Sequence, residues 1–89
     1  MSEHDLLVSN VERASDIRQM CEKTGWKEIV GPWIFAQRNA AINEMLSPKT
    51  KPESLPFLRE RVNTLDRLTN YIASILRIGE ESNEKLKKE

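Results

Sequence analysis

Cysteine and histidine are nearly absent from this chain, which has one of each, Cys21 and His4, in 89 residues. One cysteine cannot form an intramolecular disulfide, and this pair cannot supply the about four ligands of a structural zinc site. A chain of this length buries only about 60–65% of its extended surface, so a lone monomer is marginally stable. Small domains usually gain the missing stability from disulfides, a metal ion or self-association, and here only self-association remains possible.

Long apolar runs are also missing. No segment reaches the roughly 20 apolar residues that a membrane span needs, so no membrane association is expected. The early run Leu6-Leu7-Val8 has no basic region before it, which argues against a signal peptide. With a lone thiol, we expect an intracellular location, either the cytoplasm of a host cell or a virion.

Neither sign of charge dominates, since 14 Lys and Arg balance 14 Asp and Glu. Nucleic-acid binding relies on a basic face that neutralises phosphates, so neutrality weakens that reading without excluding a local patch. Helix 3 carries one candidate basic patch, but Glu60 and Asp66 lie between its arginines in the sequence. A solvated helix face is therefore the favoured interpretation. The members of the patch would be Arg59, Arg61 and Arg67.

Catalytic motifs are absent as well. The chain has no G-x-x-x-x-G-K, G-x-G-x-x-G or H-E-x-x-H pattern. Cys21 falls on an apolar helical stripe with no histidine placed to activate it, and His4 lies near the N-terminus. The sequence therefore predicts no enzyme, no cofactor and no metal.

The residues that are present follow helical periodicity. Helix 1 is expected to start at Ser2 or Ser9, because each has an acid three residues later. Gly25 suits the left-handed position after its end. Apolar residues spaced by three and four predict one buried face: Leu7, Val11, Ala14, Ile17 and Cys21.

Helix 2 is expected over residues 26–46, with an interruption at Gly31-Pro32. Either a fresh helix starts there with Pro32 in its first turn, or one helix kinks. At 100° per residue, apolar side chains fall on two sides, so this helix needs two neighbours. One side carries Trp26, Ile29, Val30, Trp33, Ile34, Ala40 and Ala41, and the other carries Phe35, Ile42 and Leu46.

Helix 3, expected over residues 55–78, carries an a/d heptad with a flanking stripe of Leu68 and Ile75. The pattern fits a coiled coil between chains or the inner face of a bundle, and the bundle is favoured because Thr69 weakens a coiled-coil seam. We predict an all-α fold, a helical hairpin or small three-helix bundle. Residues 1–79 would form one domain, and residues 80–89 a charged tail, frayed or disordered. The heptad positions are Leu55, Leu58, Val62, Leu65, Thr69, Ile72 and Leu76.

The two tryptophans, seven residues apart, either anchor the core or form an exposed ridge. The core is favoured, which predicts that Trp33 and Leu65 pack together. Helix 2 then keeps one apolar side uncovered, and such patches mark interfaces. A homodimer is the first guess for the assembly. The candidate partner-binding residues are Phe35, Ile42 and Leu46, or else Leu68 and Ile75.

Residues 24–34 (TGWKEIVGPWI), a following helix, a proline-rich charged loop and Leu58-Arg59-Glu60-Arg61-Val62 resemble short proteins of tailed bacteriophages and prophages. Those proteins have a Gly-Trp helix start, an aromatic residue after a mid-helix proline and a second helix opening on Leu-Arg. The resemblance covers roughly residues 20–76, and many members carry glycine where this chain has Glu60. It implies a phage setting and a helical-hairpin fold, and no functional residues carry over.

These observations predict a non-enzymatic helical interaction or assembly protein, a small structural or accessory component of a phage. Its partner would be another copy or another phage protein. The alternative is a nucleic-acid-binding regulator that uses the arginines of helix 3.

Overall fold

The computed structural model describes residues 2–89, which contain helices and no strand. Helix α1 spans Glu3–Glu22, a π-helical turn spans Gly25–Val30, and α2 spans Gly31–Leu46. A 3₁₀ turn at Pro52–Ser54 then leads directly into α3, Leu55–Lys87. The prediction of an all-α fold with a long C-terminal helix is confirmed.

Two compact units share α3. Unit 1 consists of Met1–Lys23 with Asn70–Glu89, and unit 2 consists of Thr24–Thr69. Each is an antiparallel helix pair, so the C-terminal part of α3 packs on α1 and its N-terminal part packs on α2.

In unit 1, α1 begins at Ser2, whose hydroxyl oxygen accepts a hydrogen bond from the backbone N–H of Asp5 at 3.1 Å. This resolves the choice between Ser2 and Ser9. The two helices meet at Ala14 and Gly79, where a Cβ built on Gly79 would lie 2.1 Å from the Cβ of Ala14. Glycine is therefore required there for the close approach. Leu7, Ala14 and Ile75 form the buried apolar core of this unit.

The expectation that helix 3 ends near Ile78 is wrong, because α3 continues through Lys87. Ser82 is 3% exposed and accepts a hydrogen bond from the side-chain amide of Asn10 at 3.1 Å. Residues 80–87 are thus a helical part of unit 1 instead of a frayed or disordered tail. Contact with α1 outweighs the weak helix propensity of Gly79.

In unit 2 the chain stays helical through Gly31 and Pro32, and a π turn precedes them. Val30 and Gly31 both have helical φ and ψ, and the N–H of Gly31 bonds to the carbonyl of Trp26, five residues back. Pro32 has no N–H to offer the carbonyl of Glu28, and its ring crowds that turn. The wider π turn accommodates it.

The π turn also overturns the prediction for the tryptophans. It holds more residues than an α-helical turn, so residues seven apart across it no longer share a face. Trp26 is half-buried, whereas Trp33 is 57% exposed and does not join Leu65 in a core. Gly25 was also misplaced, since no described glycine has a positive φ and α1 ends at the extended residue Lys23.

The core of unit 2 is small, and consists of Ile34 and Ala41 of α2 with Leu58 of α3. The heptad positions of α3 are buried or half-buried against the chain's own helices, except for Thr69, which is exposed. Beside this core, Arg38 holds Asp66 with two hydrogen bonds, at 2.6 Å from Nε and 3.4 Å from Nη2.

Candidate association surface

Unit 2 leaves more large apolar side chains in water than it buries. Its buried apolar residues are Ile34, Ala41 and Leu58. Single exposed apolar residues are ordinary, but a set of this size within 46 residues is typical of an interaction site. The exposed set comprises Ile29, Val30, Trp33, Phe35, Leu46, Phe57 and Leu68.

Charge is almost missing from the exposed side of α2. Among its exposed positions only Glu44 is charged, while the water-facing side of an ordinary amphipathic helix is mostly charged or polar. The composition of α2 therefore suits a helix covered by a partner. The exposed positions are Pro32, Trp33, Phe35, Ala36, Ala40, Asn43, Glu44 and Leu46.

The Arg38–Asp66 pair marks one edge of the α2–α3 packing. The hydrogen bond and the charge of Asp66 raise the pKa of Arg38 further above its usual value, so its guanidinium stays charged. Phe35 and Ile42 lie three residues before and four after Arg38, and share its side of α2. We name this side the ion-pair edge, and Leu46 continues it along the helix.

A second apolar surface, which we name the outer face, lies on the side of α2 away from α3, since Ala36 and Asn43 each come two residues after a buried residue, Ile34 and Ala41. On the π turn and α2 its members are spaced by four and three residues, and all are exposed. On α3, Leu68 comes two residues after Asp66 and so lies about 200° round the helix from it, with Phe57 on the same side. The outer face consists of Ile29, Trp33, Ala36, Ala40 and Asn43, and Phe57 and Leu68 form a separate exposed pair on α3.

The structure leaves some of the predicted partner-binding residues exposed and covers others. Phe35, Leu46 and Leu68 are 66%, 77% and 42% exposed, whereas Ile42 is half-buried. Ile75 is only 9% exposed and belongs to the core of unit 1, so its assignment to an exposed stripe is wrong. It is covered because α1 packs on that part of α3.

Sequence reasoning left four of the seven exposed large apolar residues of unit 2 out of its partner-binding candidates: Ile29, Val30, Trp33 and Phe57. Phe57 carried a usable signal, since it lies eleven residues before Leu68 and therefore on the same face of helix 3, although Arg61 and Thr64 lie between them on that face. Trp33 carried none, because its spacing placed it with Ile34 and Ala41 on the side of helix 2 that was expected to be covered.

No family model, curated protein or solved structure matches this chain.

The arginines of α3 do not form a concentrated basic surface. Arg59, Arg61 and Arg67 are all exposed, and Arg67 is bonded through Nη2 to Glu60 Oε1 at 2.8 Å. Because that carboxylate offsets the charge of Arg67, the arrangement resembles a solvated helix face more than a phosphate-binding one.

Other chemistry is sparse in the described part of the chain. No three His, Cys, Asp or Glu side chains there stand close enough to hold a metal ion. A groove of about 160 Å³ in unit 1 is lined by Arg13 and Tyr71, whose side chains are hydrogen-bonded to each other at 3.2 Å. Among residues 2–89, no helix has the length and apolar character needed to cross a membrane.

Proposed function

We propose that this protein works by association, as a helical interaction or assembly module without catalytic chemistry. The observation that carries the proposal is the excess of exposed over buried large apolar side chains in unit 2. Covering apolar surface contributes roughly 25 cal/mol per Å², so a partner helix would find its main driving force here.

The resemblance to short proteins of tailed phages supplies the setting of the proposal. A small structural or accessory component of a phage particle has to bind a neighbouring protein and needs no catalytic site. Unit 2, residues 24–69, lies within the region that the resemblance covers, roughly residues 20–76. Another copy of the chain and another phage protein are both suitable partners.

Sedimentation velocity of the full chain across the micromolar range, at low and high salt, tests the proposal. We expect a species larger than the monomer whose population survives high salt, because apolar burial is not weakened by screening. If the chain stays monomeric, a phage protein from infected cells should bind the native chain and lose binding to the Trp33→Glu variant, to the Phe35→Glu variant, or to both. Binding that ignores both substitutions would contradict the proposal.

The nucleic-acid alternative has its own outcome in the same experiment. If the arginines of α3 bound phosphates, a labelled DNA or RNA duplex would co-sediment at low salt and be released steeply as salt rises. Loss of that binding in the Arg59→Gln/Arg61→Gln double variant would favour the alternative. We expect no co-sedimentation.

A further inference from the structure

We propose that a short segment in the middle of α3, residues 67–71, unfolds locally while the helix on both sides of it stays folded. We name it the connecting segment, because the boundary between the two units, Thr69–Asn70, falls inside it. Its local opening makes unit 1 and unit 2 separate cooperative folding units. A partner that covers unit 2 then stabilises unit 2 alone. The opening itself does not depend on the proposed association.

The connecting segment is exposed on every side of the helix. All of its residues are exposed, and five successive residues make more than one full turn of about 3.6 residues. Elsewhere in α3 no more than three successive residues are exposed, because one side of the helix packs on α1 or α2. Helices in proteins are held mainly by such packing. The connecting segment therefore depends on its backbone hydrogen bonds and its intrinsic helix propensity.

The composition of the connecting segment does not compensate for the missing packing. Thr69, Asn70 and Tyr71 all rank below alanine, leucine and the long charged residues in helix propensity. The hydroxyl of Thr69 donates to two backbone carbonyls of the preceding turn, that of Leu65 at 3.3 Å and that of Asp66 at 3.1 Å. A threonine bonded in this way slightly destabilises its helix and often bends it.

The side chains at the two ends of the connecting segment bond within different units. Arg67 donates a hydrogen bond to Glu60 of unit 2 at 2.8 Å. The hydroxyl of Tyr71 accepts one from Arg13 of unit 1 at 3.2 Å. Both bonds can therefore persist when the helix opens in the middle of the segment, so neither opposes the opening.

The chain passes between the two units at one other place, and that place is exposed as well. Residues 22–25 are all exposed, and Lys23 is extended, with φ −73° and ψ 146°. A Cβ on Gly25 would meet nothing within 4 Å. Because both connections run through exposed residues, neither gives a packed route by which unfolding of one unit would destabilise the other.

Amide hydrogen exchange of the dilute native chain, measured residue by residue by NMR, tests the local opening. A continuous helix frays from its ends, so its central amides normally exchange most slowly. We expect the reverse in α3, with the amides of residues 69–73 at least about ten-fold less protected than those of residues 60–64 and 77–81. A protection profile without a minimum at the connecting segment would overturn the inference.

Matched asparagine substitutions test the cause of the opening. Asn63 and Asn70 are both exposed and lie seven residues apart on α3, but only Asn70 belongs to the connecting segment. We expect Asn70→Ala to slow exchange of the amides of residues 69–73 by about two- to three-fold, since alanine favours the helix. Asn63→Ala should leave the exchange of those amides unchanged. Equal slowing by both variants would contradict an opening confined to the segment.

Core substitutions test the independence of the two units. Ile34→Ala removes packing from unit 2, and Gly79→Ala disturbs the close helix contact of unit 1. We expect Ile34→Ala to speed amide exchange in α2 and to leave exchange around Leu7 of α1 unchanged, and Gly79→Ala to do the opposite. Equal loss of protection in both units for either variant would show that the chain unfolds as one cooperative unit, and would overturn the inference.

Discussion

At the scale of single residues, two glycines in helical segments have opposite environments. A Cβ on Gly79 would lie 2.1 Å from the Cβ of Ala14 and 3.1 Å from the carbonyl oxygen of Asn10. A Cβ on Gly25 would meet nothing within 4 Å. Glycine is intrinsically unfavourable in both places, so only contact with a neighbouring helix explains Gly79.

We therefore expect Gly79→Ala to destabilise the protein by about 1–3 kcal/mol, because the two helices of unit 1 must move apart. Gly25→Ala is the control and should be neutral or stabilising, since alanine gains up to about 1 kcal/mol in helix propensity. Thermal unfolding by circular dichroism at one fixed concentration measures both. Equal effects of the two substitutions would contradict the close contact.

Trp33 and Ile34 are neighbours in the chain with opposite environments, 57% and 5% exposed. Ile34→Ala should cost about 2–5 kcal/mol through loss of core packing. Trp33→Ala should cost less than about 1 kcal/mol in the monomer, and weaken association instead. Urea unfolding at low protein concentration measures the free energy of unfolding of the monomer without a contribution from association. A large loss of monomer stability in the Trp33→Ala variant would show that this tryptophan is part of the core.

At the scale of elements, α3 buries a position on each side of Gly79. Ile75 lies four residues before it and Ser82 three residues after it, so the covered face continues through the charged segment. Helices of this kind are held by packing more than by propensity. The segment that looked like a tail is therefore part of what holds α1.

Removal of residues 80–89 should destabilise α1, because it deletes the buried Ser82, its bond to Asn10 and the half-buried Leu86. We expect a loss of at least about 2 kcal/mol, and faster amide exchange around Leu7. Removal of Lys88 and Glu89 alone is the control. It breaks only the contact between His4 Nδ1 and Glu89 Oε2 at 2.8 Å, which contributes little because both side chains are exposed to water. Unchanged amide exchange in the variant that lacks residues 80–89 would show that this part of α3 does not stabilise α1.

At the scale of the whole molecule, the distribution of charge differs between the units. The chain is formally neutral, yet α2 has only Arg38 and Glu44 among 16 residues, whereas α1 alternates acids and bases on its exposed side. Unit 1 presents an ordinary water-facing surface. Unit 2 exposes large apolar side chains to water. Association through these side chains should therefore stabilise unit 2 more than unit 1.

A dimer formed through unit 2 predicts a melting temperature that rises with protein concentration, since mass action favours the folded associated state. Trp33→Glu should reduce that dependence and keep the melting temperature of the dilute protein. Scanning calorimetry over a wide concentration range gives the measurement. A concentration-independent melting temperature in the native chain would argue against self-association.

The sequence by itself determined that this chain is helical and where most of its apolar faces lie. Spacings of three and four placed the stripe of α1 through Leu7 and Ala14 and the seam of α3 through Leu58, because these patterns depend only on helix geometry. Phe35, Leu46 and Leu68 were also correctly expected to be exposed. All of these residues lie in regular α-helix, where position along the chain fixes direction.

Tertiary structure decided the rest. Local rules end a helix at Gly79, and only contact with Ala14 carries α3 past it. Periodicity puts Trp33 beside Trp26, but packing in unit 2 buries Ile34 and Ala41 of α2 and leaves Trp33, one residue before Ile34, 57% exposed. Ile75 was expected on a surface because covering by α1 cannot be read from α3 alone. In each case, the decisive interaction joins residues that no local pattern links.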